Sequence, residues 1–189
     1  MSSLHDMLGS AIKSAPRVEH GGKIDIYPNF GSLSIEPELV NVIVAELGRL
    51  SEFNCDKIAL IESMAIPVGT ALALDKKLPY TVIRKRKYNL PGEVSVKKHT
   101  GYSRADFYIN GISEGQKIMV FDDTINTGET LRAVIKTLRH IGSEITDVLT
   151  IMDKGTHRAR LEAELNLKIK TLVKVDIQAD TVELSFEVD

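Results

Sequence analysis

A chain of 189 residues with 43% hydrophobic composition can bury a core and has the usual size of one domain, 1–189. A net charge of −2 with locally clustered basic residues gives no general attraction to nucleic acid or membrane, so any polyanion it binds should be small. The single cysteine, Cys55, excludes a disulfide framework, and His5, His20, His99, His140 and His157 lack the close spacing of zinc ligands.

The first residues, MSSLHDMLGSAIKSAP, lack the apolar run of a secretion signal, and nowhere do ~20 apolar residues follow one another as a membrane span requires. The expectation is a soluble, cytoplasmic protein. Residues 4–14 predict a short amphipathic helix, and 23–34 an irregular or extended stretch broken by Pro28 and Gly31. From Glu36 a helix is predicted, with Pro37 suited to its first position and Leu39, Val42, Ile43, Leu47 and Leu50 on one face.

Strands and helices then alternate. KIALI (57–61) predicts a strand, 66–75 a helix, YTVIR (80–84) and KIMVF (117–121) strands, and 128–140 a helix. DVLTIM (147–152) follows as a strand, 156–164 as a helix, IKTLVKV (169–175) as a strand and TVELSFEV (181–188) as an alternating edge strand. Uniformly apolar strands between helices indicate an α/β fold, an open, mostly parallel sheet with helices on both faces. Residues 85–104 interrupt it with a polar, basic, glycine-containing segment far longer than the usual connection of about half a dozen residues, and such loops often cover active sites.

Chemistry concentrates in IMVFDDTINTGET (118–130). In open parallel sheets ligands bind beyond the carboxyl ends of the strands, where helix N-termini also present free N–H groups. KIMVF carries Asp122 and Asp123 to that edge, and the next helix starts within Thr127-Gly128-Glu129-Thr130. Carboxylates suit the vicinal hydroxyls of a ribose; amides and hydroxyls suit its 5-phosphate. Gly128 permits close backbone approach, and the Glu129 side chain is expected to point away from the phosphate, leaving its N–H to contribute. The GxxxxGK[ST] and GxGxxG patterns of two rival nucleotide folds are absent. An ordinary strand–turn–helix with acidic caps is the bland alternative.

An apolar run followed by DDTINTGET resembles the phosphoribosyl diphosphate (PRPP) signature of the type I phosphoribosyltransferases, with Thr124 where the family usually has an aliphatic residue. VIRKRKYNLPGEVSV (82–96) and TGYSRADFYI (100–109) resemble the adenine enzymes, and RKR-x-Y-x-LPGEVS with TGYS and YING resembles still more the archaeal hypoxanthine-type enzymes. The resemblance implies the type I phosphoribosyltransferase fold, a hood at about 1–35, a lid at about 85–104, and purine salvage. PRPP and a purine base would be the substrates, Mg2+ would arrive with PRPP, and the protein would be a homodimer.

On that resemblance Asp122 and Asp123 are the catalytic residues, and the PRPP loop comprises them with Thr124, Asn126, Thr127, Gly128, Glu129 and Thr130. The diphosphate falls to Glu62, Ser63 and Met64, where Met64 replaces the arginine of the adenine enzymes, and to Arg84, Lys85 and Lys87. Arg86, Lys97 and Lys98 are further cations, and a solvated basic loop is the plain alternative for several of them.

Lys154 falls where mammalian-type hypoxanthine-guanine enzymes place the lysine that donates to the purine 6-oxygen, with a surface lysine near a helix start as the plain alternative. Phe30 and Tyr27 belong to the hood and Ile125 joins the base set, though both aromatics could equally be core residues. Gly101, before Tyr102, replaces the carboxylate of the adenine enzymes, and Asn126 replaces the acid/base aspartate of the hypoxanthine-guanine enzymes. An ammonium donor prefers a carbonyl oxygen, so hypoxanthine or guanine is favoured, giving IMP or GMP and diphosphate. Adenine, less readily xanthine, remains the alternative base. A non-catalytic PRPP-sensing regulator is a third reading, although no added nucleic-acid module or basic face is evident.

Overall fold

In the computed structural model, which describes residues 3–20, 23–28, 30, 34–97, 106–178 and 181–188, the apolar runs form a six-stranded sheet covered on both faces. Helix α1 (Leu4–Lys13) starts from a capping box in which the Ser3 hydroxyl accepts the Asp6 N–H and the Asp6 carboxylate accepts the Ser3 N–H. Strands β1 (Arg17–His20) and β2 (Lys23–Ile26) pair antiparallel; β2 opens the stretch expected to be irregular or extended, and β1 precedes it. Helix α2 (Pro37–Leu50) has Pro37 in its first turn and buries Leu39, Ile43, Val44 and Leu47.

Strand β3 (Lys57–Ile61), helix α3 (Ala65–Lys76) and strand β4 (Tyr80–Ile83) match the predicted alternation. Strands β5 (Val94–Lys97) and β6 (Asp106–Ile109) then form an antiparallel pair within and beyond the segment expected to be a loop. The physical reason is burial: Val96, Phe107 and Ile109 enter the core and anchor the pair, while the surrounding charge masks the apolar signal.

Strand β7 (Lys117–Ile125) continues four residues past the predicted run and is followed by α4 (Glu129–His140), β8 (Glu144–Asp153), α5 (Arg158–Leu165), β9 (Lys170–Ile177) and β10 (Val182–Phe186). The extension holds because β8 pairs with the whole of it, with Asp122 beside Thr150 and Ile125 beside Asp153. Cross-strand partners thus override the low strand propensity of two aspartates.

The strand order is β10-β9-β8-β7-β3-β4, parallel throughout except for β10 at the edge. Side chains alternate between two cores. Leu60, Met119, Phe121 and Leu149 pack with α1–α3, Ile26 and Phe30; Ala59, Ile61, Val120 and Val148 pack with α4, α5 and the β5–β6 pair. The chain runs from β3 outward to β4 on one side and from β7 outward to β8 on the other. Between β3 and β7 lies the crevice that open α/β sheets use for ligands.

Candidate active site

Two adjoining cavities open at the carboxyl ends of β3 and β7. The larger, about 340 Å³, is lined by Ile61, Glu62, Ser63 and Met64 after β3, by Asp122, Asp123 and Thr124 of β7, and by Lys85, Phe107 and Thr130. The smaller, about 80 Å³, lies under the N-terminal segment, against Ile26, Tyr27, Pro28 and Phe30, and is closed by Met152 and Lys154. Met64, Asp123 and Thr124 line both, so the cavities meet at these three residues. A surface groove of about 1100 Å³ runs between α1 and β10 at the far edge of the sheet. Two of its polar side chains are already engaged, Asp6 in the α1 cap and His5 against the Phe186 ring.

Because β7 remains a strand through Ile125, consecutive side chains point to opposite faces, and the two aspartates divide accordingly. Asp123 faces the hood side and lines both cavities; Asp122 lines the larger one and is buried at 8% exposure. Burial, and then the neighbouring charge of Asp123, hold the Asp122 carboxyl well above the usual carboxylate range, opposed by the Lys85 ammonium. Asp122 Oδ1 accepts the Asp123 N–H at 2.9 Å, and the Thr124 hydroxyl donates to Asp123 Oδ2 at 2.7 Å. Both carboxylates line the larger cavity, as an unequal pair: Asp122 is buried and Asp123 stands at the junction of the two cavities.

The rest of the loop after β7 is arranged around a turn. Gly128, at φ +75°, caps α4 in the left-handed region that favours glycine, and a Cβ there would lie 2.8 Å from Leu161 Cδ2. Thr130 reaches the larger cavity, whereas Asn126 and Thr127 are absent from its lining. Glu129 is ion-paired with Arg132, which in turn meets Glu164 at 2.9 Å, so its carboxylate is directed along the helix. Ile125 is 1% exposed, packs in the core with Leu131 and Leu161, and does not line the base-side cavity.

The base-side wall comes from distant parts of the chain. Phe30 and Ile26 are buried in the core while their edges line the cavity, and Tyr27 is half-buried beside them. Lys154 donates its backbone N–H to Ile125 O at 2.8 Å, and its Nζ meets Asp25 Oδ1 at 2.6 Å. Asp153 Oδ1 accepts the Gly155 N–H at 3.2 Å, and Arg158 stands 3.4 Å from Asp153 Oδ2 while bonding Glu187. Burial pushes the Asp153 carboxyl up, against the Gly155 N–H and Arg158.

The sequence profile of the phosphoribosyl transferase domain matches residues 38–184. The chain belongs to the phosphoribosyltransferase family. It is 37% identical over 179 residues to the hypoxanthine/guanine phosphoribosyltransferase of Methanocella paludicola, covering 94% of this chain and 93% of that one. It is 38% identical over 180 residues to the corresponding protein of Methanococcus vannielii, covering 94% and 97%. Among solved structures, the adenine phosphoribosyltransferase of Leishmania tarentolae matches with a TM-score of 0.71 at 16% identity, covering 92% of this chain and 89% of that one. The adenine enzyme of Rhodothermus marinus matches with 0.67 at 23%, covering 89% and 98%. These two share the fold with this chain, in the purine branch of the type I phosphoribosyltransferases.

In this phosphoribosyltransferase the predicted diphosphate residues separate. Glu62, Ser63, Met64 and Lys85 line the larger cavity; Arg84 and Lys87 do not. Arg84 exchanges backbone hydrogen bonds with Tyr108, and the extended backbone turns its side chain to the side opposite Lys85. The Glu62 carboxylate accepts the Lys85 N–H at 2.9 Å, and the Glu62–Ser63 peptide is cis. Arg86 lies over the Tyr88 ring.

The start of the expected lid is an ordered turn. Glu93 accepts the N–H groups of Tyr88 and Asn89 at 2.9 and 3.1 Å and the Asn110 amide at 3.0 Å. Lys98, Gly101 and Tyr102 lie outside the described residues. Among the described residues no group of three or more His, Cys, Asp or Glu is arranged to hold a metal ion, and no helix is long and apolar enough to cross a membrane. Sequence reasoning missed Phe107, Met152 and Asp25. Met152 reads as the end of an apolar strand, Phe107 enters only as part of TGYSRADFYI, and the one signal for Asp25 is an acidic residue between the apolar residues of KIDIY.

Proposed function

We propose that this phosphoribosyltransferase transfers the 5-phosphoribosyl group of PRPP to hypoxanthine or guanine, giving IMP or GMP and diphosphate. The observation that carries the reading is the joining of the two cavities at Met64, Asp123 and Thr124, with an ammonium, Lys154, in the wall of the smaller one. The sugar-phosphate occupies the larger cavity and the purine the smaller, so the anomeric carbon sits at the junction. Diphosphate then leaves toward Ser63 and Lys85 while the purine nitrogen attacks from the hood side.

Catalysis on this arrangement is positioning together with charge stabilisation. Asp123 accepts a ribose hydroxyl proton and stands beside the positive charge that develops at the ring; Asp122 accepts the second hydroxyl. Thr130 and the amides at the start of α4 take the 5-phosphate, aligned with the positive end of the helix dipole. Lys85 and the Ser63 hydroxyl meet the departing diphosphate. Mg2+ fits the donor set in the way it commonly binds, through one or two carboxylates, here Asp122 and Asp123, together with substrate oxygens and water. When bound it neutralises diphosphate charge.

Lys154 carries three donors and no acceptor, which supports a 6-oxopurine over the 6-amino group of adenine. The names of the Methanocella and Methanococcus relatives support the same choice. A cytoplasmic homodimer belongs to the same reading, as the family resemblance implies. The test is nucleotide formation from PRPP, Mg2+ and each base supplied separately. Nucleotide from hypoxanthine or guanine is expected; nucleotide from adenine alone would overturn the base assignment while leaving the sugar-phosphate half intact.

A further inference from the structure

Lys154 is held from outside the cavity it lines. Its Nζ lies 2.6 Å from Asp25 Oδ1 and 3.4 Å from Ile26 O, and its side chain is only 10% exposed. Asp25 is not part of the cavity wall; it stands on β2, opposite Val18 of β1, and its Oδ1 also accepts the Ile26 N–H at 2.9 Å. The next residues along, Ile26, Tyr27, Pro28 and Phe30, form that wall. One short segment therefore supplies both the surface against the base and the anchor for the cation that reads it.

We propose that Asp25 is a positioning residue for base recognition: it fixes the Lys154 ammonium at the edge of the purine cavity and so sets the preference for a 6-oxo base. The inference rests on the reading that Lys154 donates to the purine 6-oxygen. A lysine ammonium sits on a four-carbon stem with many rotamers, and in free solution it turns toward water. Here a carboxylate and a carbonyl use two of its donors on the side of the hood, leaving the third for a ligand. A neutral partner at position 25 would bind the ammonium less firmly, because it removes the Coulomb attraction between opposite charges at a site where the Lys154 side chain is little exposed to water. Asp25 lines neither cavity, so its influence should reach the base only through Lys154.

The test is a double-mutant cycle on the full chain with PRPP, Mg2+ and hypoxanthine. Asp25→Asn is expected to raise the KM for hypoxanthine by about tenfold, with kcat and the KM for PRPP within about twofold of the unaltered protein. Lys154→Gln should raise the same KM, and adding Asp25→Asn to it should change nothing further, since the group being positioned is gone. Additive effects, or an unchanged hypoxanthine KM in Asp25→Asn, overturn the proposal. Should Asp25→Asn fail to fold, Asp25→Glu displaces the carboxylate by one methylene; a severalfold rise in base KM while Lys154 is present, and none in the Lys154→Gln background, supports the role, and additivity again overturns it. Nucleotide from adenine and none from either 6-oxopurine sinks the 6-oxopurine reading together with this proposal. Hypoxanthine turnover that Asp25→Asn leaves untouched sinks the role of Asp25 alone.

Discussion

The two halves of the site are built by opposite means. The half proposed for the sugar-phosphate is local: residues 61–64 come at the end of one central strand, 122–124 and 130 at the end of its neighbour, and the parallel pairing of β3 with β7 brings them together. The half proposed for the base is assembled at long range, from the β1–β2 pair near residue 25 and the end of β8 with the turn after it, 152–155, joined by an ion pair between residues 129 positions apart. A site made this way can keep its donor chemistry fixed while its acceptor pocket is altered independently. The comparison holds to the extent that changes in one half leave the other half's substrate alone.

Asp123→Asn is the strongest test of that independence, because Asp123 lines both cavities. Loss of a charge-assisted acceptor costs about 1.5–3 kcal/mol, a roughly 10- to 150-fold fall in kcat/KM for PRPP. The KM for the base should move far less. Steady-state kinetics with each substrate varied in turn would check this, and equal losses for both substrates would mean that the halves are one unit.

Gly155→Ala attacks the seam between the halves. A Cβ at Gly155 would stand 2.5 Å from the backbone oxygen of Asn126, an atom that cannot rotate away. Overpacking of this kind costs about 1–3 kcal/mol. The Lys154 backbone is hydrogen-bonded to Ile125, so displacement of one loop displaces the other. The expected outcome is a rise in both KM values, several-fold or more, and a change in the base KM alone would show that the loops are not coupled.

How much of this was legible in the sequence follows the same division. The β3, β7 and α4 elements and the acidic pair were readable because apolar runs, a glycine and a helix start lie within a few neighbouring residues. The β5–β6 pair was not: Val96 and Phe107 are buried, but charged and polar neighbours hide their alternation. The split of Asp122 from Asp123 was equally hidden, since it depends on β8 extending the strand through Ile125. Lys154 was found by resemblance, and its partner Asp25 could not be, because no local pattern connects residues that far apart.

Thr124→Val should have a smaller effect. It removes the 2.7 Å hydrogen bond to Asp123 while keeping the shape of the side chain. The bond is charge-assisted but only partly buried, which places it at the low end of about 1.5–3 kcal/mol, so kcat should fall by roughly tenfold for every base tested. An effect on one base and not another would move Thr124 from the sugar-phosphate half to the base half.

The smallest expected effect is on stability, and it separates what Asp122 does for folding from what it does for the ligand. Its folded carboxyl is held above the usual range, chiefly by burial, so the folded state retains a proton that the unfolded chain gives up near its ordinary value of about 3.9. The stability that Asp122 contributes is therefore fully present below about pH 4 and declines as pH rises through the folded value. The amide introduced by Asp122→Asn does not titrate and can still accept the Asp123 N–H. The melting temperature of that variant relative to the unaltered protein should thus rise between about pH 4 and 8, by ~2–4 °C for each kcal/mol recovered in a chain of this size. Added PRPP should reverse the order, because ligand that binds only the folded state stabilises in proportion to its affinity and the amide variant holds it less well. A difference that stays flat across the pH series would show that the Asp122 carboxylate is solvated after all, and would add its charge to that of Asp123 beside the developing positive charge.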